Sequence, residues 1–125
     1  MSAEATRKLA NDFLDAVERG DLETVQRIYA PDAVVWHNFD DIAQPVAENL
    51  RTLAQVVKLL PERRYEQRRI NVFDGGFVEQ HVLNGRLASG RAVSLAACLV
   101  CTVRDGRITR LDEYLDAAAI ADWRN

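Results

Sequence analysis

Hydrophobic residues in the first half of the chain recur at the spacing of an amphipathic helix. They predict a first helix over residues 3–17, a second that begins at Asp21 and ends at Pro31, and a third between Pro45 and Pro61. Between the second and third helices, the β-branched run "AVVW" predicts a short strand. The first half is therefore expected to be mainly helical.

After Pro61 the hydrophobic period changes to two, which is typical of strands with one buried face. The turns "DGG", "ASGR" and "RDGR" divide this part into strands at about residues 63–73, 77–87, 92–103 and 107–116, with antiparallel neighbours. The stretch "AAAIADW" predicts a closing helix. Helices followed by a long antiparallel sheet indicate an α+β fold in one domain, residues 1–125. Such long strands favour a strongly curved sheet that the helices close into a cone, with a ligand site inside and a dimer surface outside.

Composition and charge narrow the classes of partner. The net charge is −3 and the sequence pI is about 5.4, which argues against nucleic acid. No apolar run approaches the roughly 18 residues of a membrane span, so a soluble cytoplasmic protein is expected. Cys98 and Cys101 are three positions apart on one strand and thus face opposite ways, so buried structural thiols are more plausible than a metal or disulfide site.

Three side chains with functional potential end the first strand, Trp36, His37 and Asn38. Strand alternation places Trp36 and Asn38 on one face and His37 on the other, so only one set can face the cone interior. The structural alternative is a core tryptophan, a partly exposed histidine and an asparagine that starts a turn.

Later strands add two candidate groups. Glu79 and His81 share one face of their strand, where a carboxylate can orient an imidazole as a general base. Glu113 is the carboxylate of a mostly apolar face on the last strand. The alternatives are a solvated polar face around His81, with Val78 and Val82 buried, and a structural ion pair for Glu113. No phosphate loop, nucleophile elbow or metal-ligand spacing occurs, so no cofactor or metal is expected.

The order of elements, with "GDLETVQRIYAPDAVVW" near the start and "VRDGRITRLDEYLD" near the end, resembles the SnoaL-like branch of the nuclear transport factor 2 superfamily. The resemblance implies a cone-shaped NTF2-like fold, a homodimer formed through the sheet, and a small apolar organic molecule as ligand. It does not select one reaction, because that superfamily includes isomerases, epoxide hydrolases, polyketide cyclases, dehydratases and binders without activity.

Two enzymes of the superfamily suggest different registers for the first strand. By similarity to ketosteroid isomerase, the general base falls on His37, whereas the two hydrogen-bond donors of its site fall on Phe13 and near Leu99. Neither residue can donate a side-chain hydrogen bond, which argues against steroid isomerisation.

By similarity to limonene epoxide hydrolase, Trp36-His37-Asn38 falls on the Tyr-x-Asn of that enzyme, with Asn38 matching and Trp36 in place of the tyrosine, and Glu113 falls on its later aspartate. After a one-residue shift, Glu79-Gln80-His81 falls on its Arg-x-Asp, with a glutamate in place of the arginine and a histidine in place of the aspartate, which argues against epoxide hydrolysis in the known form. This register turns Trp36 and Asn38 toward the cavity and keeps His37 as an alternate base. We favour it because it brings Asn38, His81 and Glu113 together. Substrate contacts are expected from Trp36, Phe13, Leu99 and Cys101.

The leading functional hypothesis is a SnoaL-like isomerase, lyase or hydrolase with His81 as the acid-base residue. Glu79 or Glu113 would be its carboxylate partner, and Asn38 a hydrogen-bond donor. The alternative is a small-molecule binding protein or a dimeric scaffold without turnover.

Overall fold

The helices and strands follow the predicted order closely. The computed structural model describes residues 1–123. In this part of the chain the helices are α1 (Ala3–Arg19), α2 (Leu22–Ile28), α3 (Val46–Leu59) and α4 (Ala117–Asp122). The strands are β1 (Tyr29–His37), β2 (Ala43–Pro45), β3 (Glu62–Phe73), β4 (Gly76–Arg86), β5 (Ala92–Arg104) and β6 (Arg107–Leu115). The predicted α+β class is confirmed.

The strands form a mixed sheet in the order β2-β1-β6-β5-β4-β3. The long β3 to β6 pair in antiparallel hairpins, as predicted, whereas β1 runs parallel to β6 and joins them to the short β2. The sequence predicts neither β2 nor the β1–β6 pairing, because a three-residue strand has no period and a long-range pairing has no local signal.

The second helix ends earlier than predicted. Tyr29 and Pro31 lie in β1 rather than in α2, which stops at Ile28. A proline has no backbone N–H for the sheet, and the β1–β6 register is irregular between Tyr29 and Val34, where Pro31 lies. The irregularity therefore accommodates Pro31 within the strand.

Alternation along the strands gives the sheet an inner face of buried residues and an outer face of half-exposed ones. The inner face includes Phe77, Leu95, Leu99, Cys101 and Leu111. Helix α1 packs against β3 and β4, and α3 against β1. The core lies between these helices and the inner face.

The two cysteines face opposite ways, as predicted. Cys101 is fully buried on the inner face and Cys98 is half-buried on the outer face, and neither forms a disulfide. Among residues 1–123, no helix has the length and hydropathy that crossing a membrane requires.

Candidate functional site

A cavity of about 600 Å³ lies at one end of the inner face, beneath α3 and α4. Its walls are mostly apolar, with Leu53, Val56 and Leu59 from α3, Leu83, Leu95 and Leu115 from the sheet, and Ile120 and Trp123 from the C-terminal segment. A cavity of this size and lining suits a small organic molecule. The polar side chains in its wall are therefore the candidates for chemistry.

The two histidines of the chain both line this cavity, and sheet register explains why. His37 on β1 pairs with Glu113 on β6, Glu113 pairs with Leu99 on β5, and Leu99 pairs with Glu79 on β4. Residues in register across a sheet point to the same side, so this row presents all its side chains inward. His81 lies two residues beyond Glu79 on the same face.

The first imidazole–carboxylate pair joins β1 to β6. His37 Nε2 lies 3.0 Å from Glu113 Oε1, and His37 is buried whereas Glu113 is partly exposed. Burial by itself lowers the pKa of His37, but the hydrogen bond to Glu113 and the negative charges of Glu113 and Asp40 outweigh it and raise the pKa above its usual 6.5. His37 is therefore predisposed to carry a proton near neutral pH.

The second pair lies within β4 and is more deeply buried. His81 Nδ1 lies 2.6 Å from Glu79 Oε1, with Glu79 fully inaccessible and His81 5% exposed. An ionised carboxylate only accepts hydrogen bonds, so Nδ1 is the donor and Nε2 of a neutral ring keeps its lone pair. Within residues 1–123, Glu79 Oε2 is buried without a hydrogen-bond partner. The solvated polar face considered from the sequence is wrong, because Val78 and Val82 lie on the half-exposed outer face.

The register favoured from the sequence for the first strand is wrong, and the alternative in which His37 faces the cavity is right. Trp36 lies on the outer face, where its Nε1 donates to Asp41 Oδ1 at 2.7 Å and its ring packs edge-to-face on Tyr114 at 5.4 Å. Asn38 is exposed, and its Oδ1 accepts a hydrogen bond from the backbone N–H of Leu115 at 3.0 Å. Pairing with β6 decides the matter, because it aligns His37 rather than Trp36 with the inward-facing Glu113.

Phe13, Leu99 and Cys101 do not line the cavity, in contrast to the predicted substrate contacts. Phe13 on α1 packs edge-to-face on Tyr29 with ring centroids 5.5 Å apart, and all three predicted residues are buried in the core. Phe13 lies on α1, which packs against β3 and β4, whereas Leu99 and Cys101 lie on the inner face of β5. Phe13, Leu99 and Cys101 are therefore core residues and not cavity residues.

The sequence analysis missed several polar residues of the cavity wall. Tyr65 on β3 packs on His81 with ring centroids 5.0 Å apart, and Asn49 on α3 accepts a hydrogen bond from the Tyr29 hydroxyl at 3.1 Å. Gln44 on β2 also lines the cavity. One signal in the sequence could have drawn attention to Tyr65, which is the lone aromatic residue of the charged stretch "ERRYEQRR".

The His37–Glu113 pair gives a pH-dependent contribution to stability. The folded-state pKa is raised, so this contribution is complete below the unfolded pKa of about 6.5 and is lost as the pH rises through the higher folded-state pKa. We expect the stability advantage of the wild type over His37→Gln to shrink across that window, since glutamine keeps a donor near Nε2 but does not titrate. Urea unfolding of both proteins between about pH 5 and pH 9 measures the difference. An advantage that grew with pH would contradict this assignment.

Comparison with known proteins gives one sequence family and many similar structures. A family model, the SnoaL-like domain, matches residues 10–111. No curated protein sequence matches the chain.

Three solved structures illustrate the likeness of fold. An NTF2-like protein from Burkholderia xenovorans LB400 is 22% identical, with a TM-score of 0.81 over 100% of this chain and 99% of that one. A proposed polyketide cyclase from Xanthomonas campestris pv. campestris is 18% identical, with a TM-score of 0.85 over 98% of each chain. IdmH from Streptomyces antibioticus, also a proposed polyketide cyclase, is 18% identical, with a TM-score of 0.84 over 95% of this chain and 97% of that one.

At such identities the structures show the fold alone, whereas the family model matches most of the chain's length. The protein belongs to the SnoaL-like family.

Proposed function

We propose that this protein is an acid–base enzyme that transfers protons on a small apolar organic molecule held in the cavity. The observation that carries the proposal is that both histidines and Glu113 line one largely apolar cavity, and that the fully buried Glu79 is hydrogen-bonded to His81. Structural ion pairs have no need of such a location, whereas proton-transfer enzymes need paired titratable groups shielded from bulk water.

The two pairs differ in a way that suits complementary roles. Glu79 holds the Nδ1–H of His81, which leaves the Nε2 lone pair as a base for a carbon-bound proton. The raised pKa of His37 suits the proton donor, with Glu113 stabilising the imidazolium. We therefore assign His81 as the general base and His37 as the general acid, each with its carboxylate as a positioning residue.

Two similar structures suggest a reaction class. Both are proposed polyketide cyclases, and for carbonyl compounds enolisation-based isomerisation, aldol-type cyclisation and β-elimination each begin with removal of a proton next to the carbonyl group. A cyclase, isomerase or lyase acting on a carbonyl compound is the reaction type that the site supports best. The homodimer and the cytoplasmic location expected from the sequence stay predictions.

The experiment uses 5-nitrobenzisoxazole, a neutral aromatic probe whose reaction needs only a base. Removal of the proton on C3, the one proton of its isoxazole ring, forms a nitrile and breaks the N–O bond, which gives a single coloured cyano-phenolate, so no further reactant takes part. We expect His81→Asn to lower the rate by roughly 10²-fold or more, because asparagine keeps the hydrogen bond to Glu79 but has no basic nitrogen. Absorbance of the phenolate measures the rate.

The control is Trp36→Phe on the outer face, which we expect to leave the rate unchanged. A wild-type rate no higher than that of free imidazole at equal concentration would refute the proton-transfer function. If the probe then still bound, the binding protein without turnover would be the better description. A full rate in His81→Asn would remove His81 from the mechanism.

A further inference from the structure

Tyr65 lines the cavity beside His81. It lies on the inner face of β3, it is 8% exposed, and its ring is tilted by 56° against the His81 ring. Its hydroxyl forms no hydrogen bond with another group in residues 1–123, and it is not among the fully buried polar atoms without a partner, so it stays accessible from the cavity that Tyr65 lines. Tyr29, the other buried tyrosine, shows the usual arrangement with its bond to Asn49.

The backbone of Tyr65 is held from both sides by side chains outside the cavity. Its N–H donates to Glu18 Oε2 at 2.7 Å, and its carbonyl oxygen accepts from Arg68 Nε at 2.8 Å. Arg68 also pairs with Asp15 at 2.6 Å and with Glu18 at 3.5 Å. Helix α1 therefore fixes Tyr65 through Asp15, Glu18 and Arg68, a set that we term the α1 brace.

A β-bulge makes the brace possible. The β3–β4 register shifts between Glu66 and Arg69, and Gln67 between them has a φ of 55°, in the left-handed region. The extra residue turns Arg68 toward α1 while Tyr65 keeps its inward direction. Backbone strain of this kind is common next to functional sites, where it directs a side chain.

The charges around the cavity select the kind of ligand. No lysine or arginine is among the lining residues in the described part of the chain, whereas Asp40 and Glu113 are. An anionic ligand would meet these like charges, and the imidazolium of His37 would not offset them because Glu113 already pairs with it. A neutral molecule needs only hydrogen-bond donors, and a tyrosine hydroxyl supplies one.

We propose that the Tyr65 hydroxyl donates a hydrogen bond to the carbonyl oxygen of a neutral ketone bound in the cavity. The inference rests on the proposed function and adds to it the oxygen-binding residue and the substrate class. A ketone held in this way places the carbon next to its carbonyl beside the adjacent His81 ring. As the proton leaves that carbon, negative charge develops on the oxygen that Tyr65 contacts.

The protonation state of Tyr65 supports this role. Burial raises the pKa of Tyr65 well above its ordinary range, and the negative charge of Glu113 raises it further. The phenol thus stays protonated and remains a donor at and around neutral pH. The other hydroxyl of the wall, that of Thr52, already donates to the Glu48 carbonyl oxygen at 3.3 Å.

The test binds acetophenone, labelled with ¹³C at its carbonyl carbon, to the full-length protein and records the carbonyl stretch by isotope-edited infrared spectroscopy. A donated hydrogen bond lowers the stretching frequency, so the bound wild type should show a lowered band. We expect Tyr65→Phe to lose that band and to bind acetophenone roughly fivefold more weakly, as befits one neutral hydrogen bond. Tyr114→Phe on the outer face is the matched control and should keep the band.

A second measurement uses the wild type alone and so avoids any effect of the substitution on folding. With ¹³C at the Cζ atom of its three tyrosines, the Tyr65 resonance should move on addition of acetophenone and the Tyr114 resonance should not.

Retention of the lowered band in Tyr65→Phe would overturn the proposal and point to Gln44 or a histidine as the donor. Absence of acetophenone binding to the wild type would also overturn it. Failure of the proposed function looks different, because the lowered carbonyl band would then be present without any removal of a proton from 5-nitrobenzisoxazole.

Discussion

His81→Phe should lower the free energy of unfolding by about 3–5 kcal/mol, because it leaves the fully buried Glu79 carboxylate without its partner. The other oxygen of this carboxylate, Glu79 Oε2, already has no hydrogen-bond partner within residues 1–123. No other group there therefore compensates the charge of Glu79 when His81 is removed. Phenylalanine fills the space of the imidazole, and the loss of the ion pair thus dominates the change. Urea unfolding at neutral pH measures it.

The double variant Glu79→Leu/His81→Phe separates the charge from the packing. Replacement of a buried ion pair by apolar residues of similar volume is often neutral or stabilising, so we expect the double variant to recover most of the lost stability. If the double variant were as unstable as His81→Phe, packing rather than charge would explain the loss. Recovery would show that the pair is not needed for the fold, which would favour its use in chemistry.

The second large effect concerns Phe77, a core residue on the inner face of β4. Phe77→Ala should lower the free energy of unfolding by about 3–5 kcal/mol, since Phe77 is fully buried and its removal leaves a cavity in the core. Phe77 lies two residues before Glu79 on the same face of β4, so the loss also loosens the support of the buried pair. Thermal or urea unfolding gives the value.

Phe73→Ala is the control for this prediction, because it removes the same ring from the preceding strand of the same hairpin. Phe73 is 43% exposed, and we expect a loss of at most about 1 kcal/mol. Similar losses for the two variants would contradict the view that Phe77 is the core residue of this hairpin.

Local signals in the sequence account for the parts of the fold that were predicted well. Glycine turns and strict alternation place the ends of β3 to β6 close to where the structure has them. The same alternation correctly groups Glu79 with His81 on one face. These features depend on residues that are near one another in the chain, so their pattern is visible without the fold.

The remainder depends on contacts between distant segments. Alternation separates His37 from Trp36 but cannot say which faces inward, because that follows from the pairing of β1 with β6. The sequence pattern does not reveal that Tyr65 faces inward, for a related reason. Tyr65 and Ile70 are five positions apart, which strict alternation would place on opposite faces, yet the bulge at Gln67 brings both to the inner side. Neither the pairing nor the bulge has a reliable local signature.

The parallel pairing of β1 with β6 also sets the order in which the site can form. His37 and Glu113 are separated along the chain by more than half of its length, and β6 is the last strand. The β3–β4 hairpin that carries Tyr65, Glu79 and His81 closes a short loop, whereas the His37–Glu113 pair closes a long one at a higher entropic cost. During folding, we therefore expect the local contact between Glu79 and His81 to form early, and the His37–Glu113 pair to form only when β6 has docked against β1.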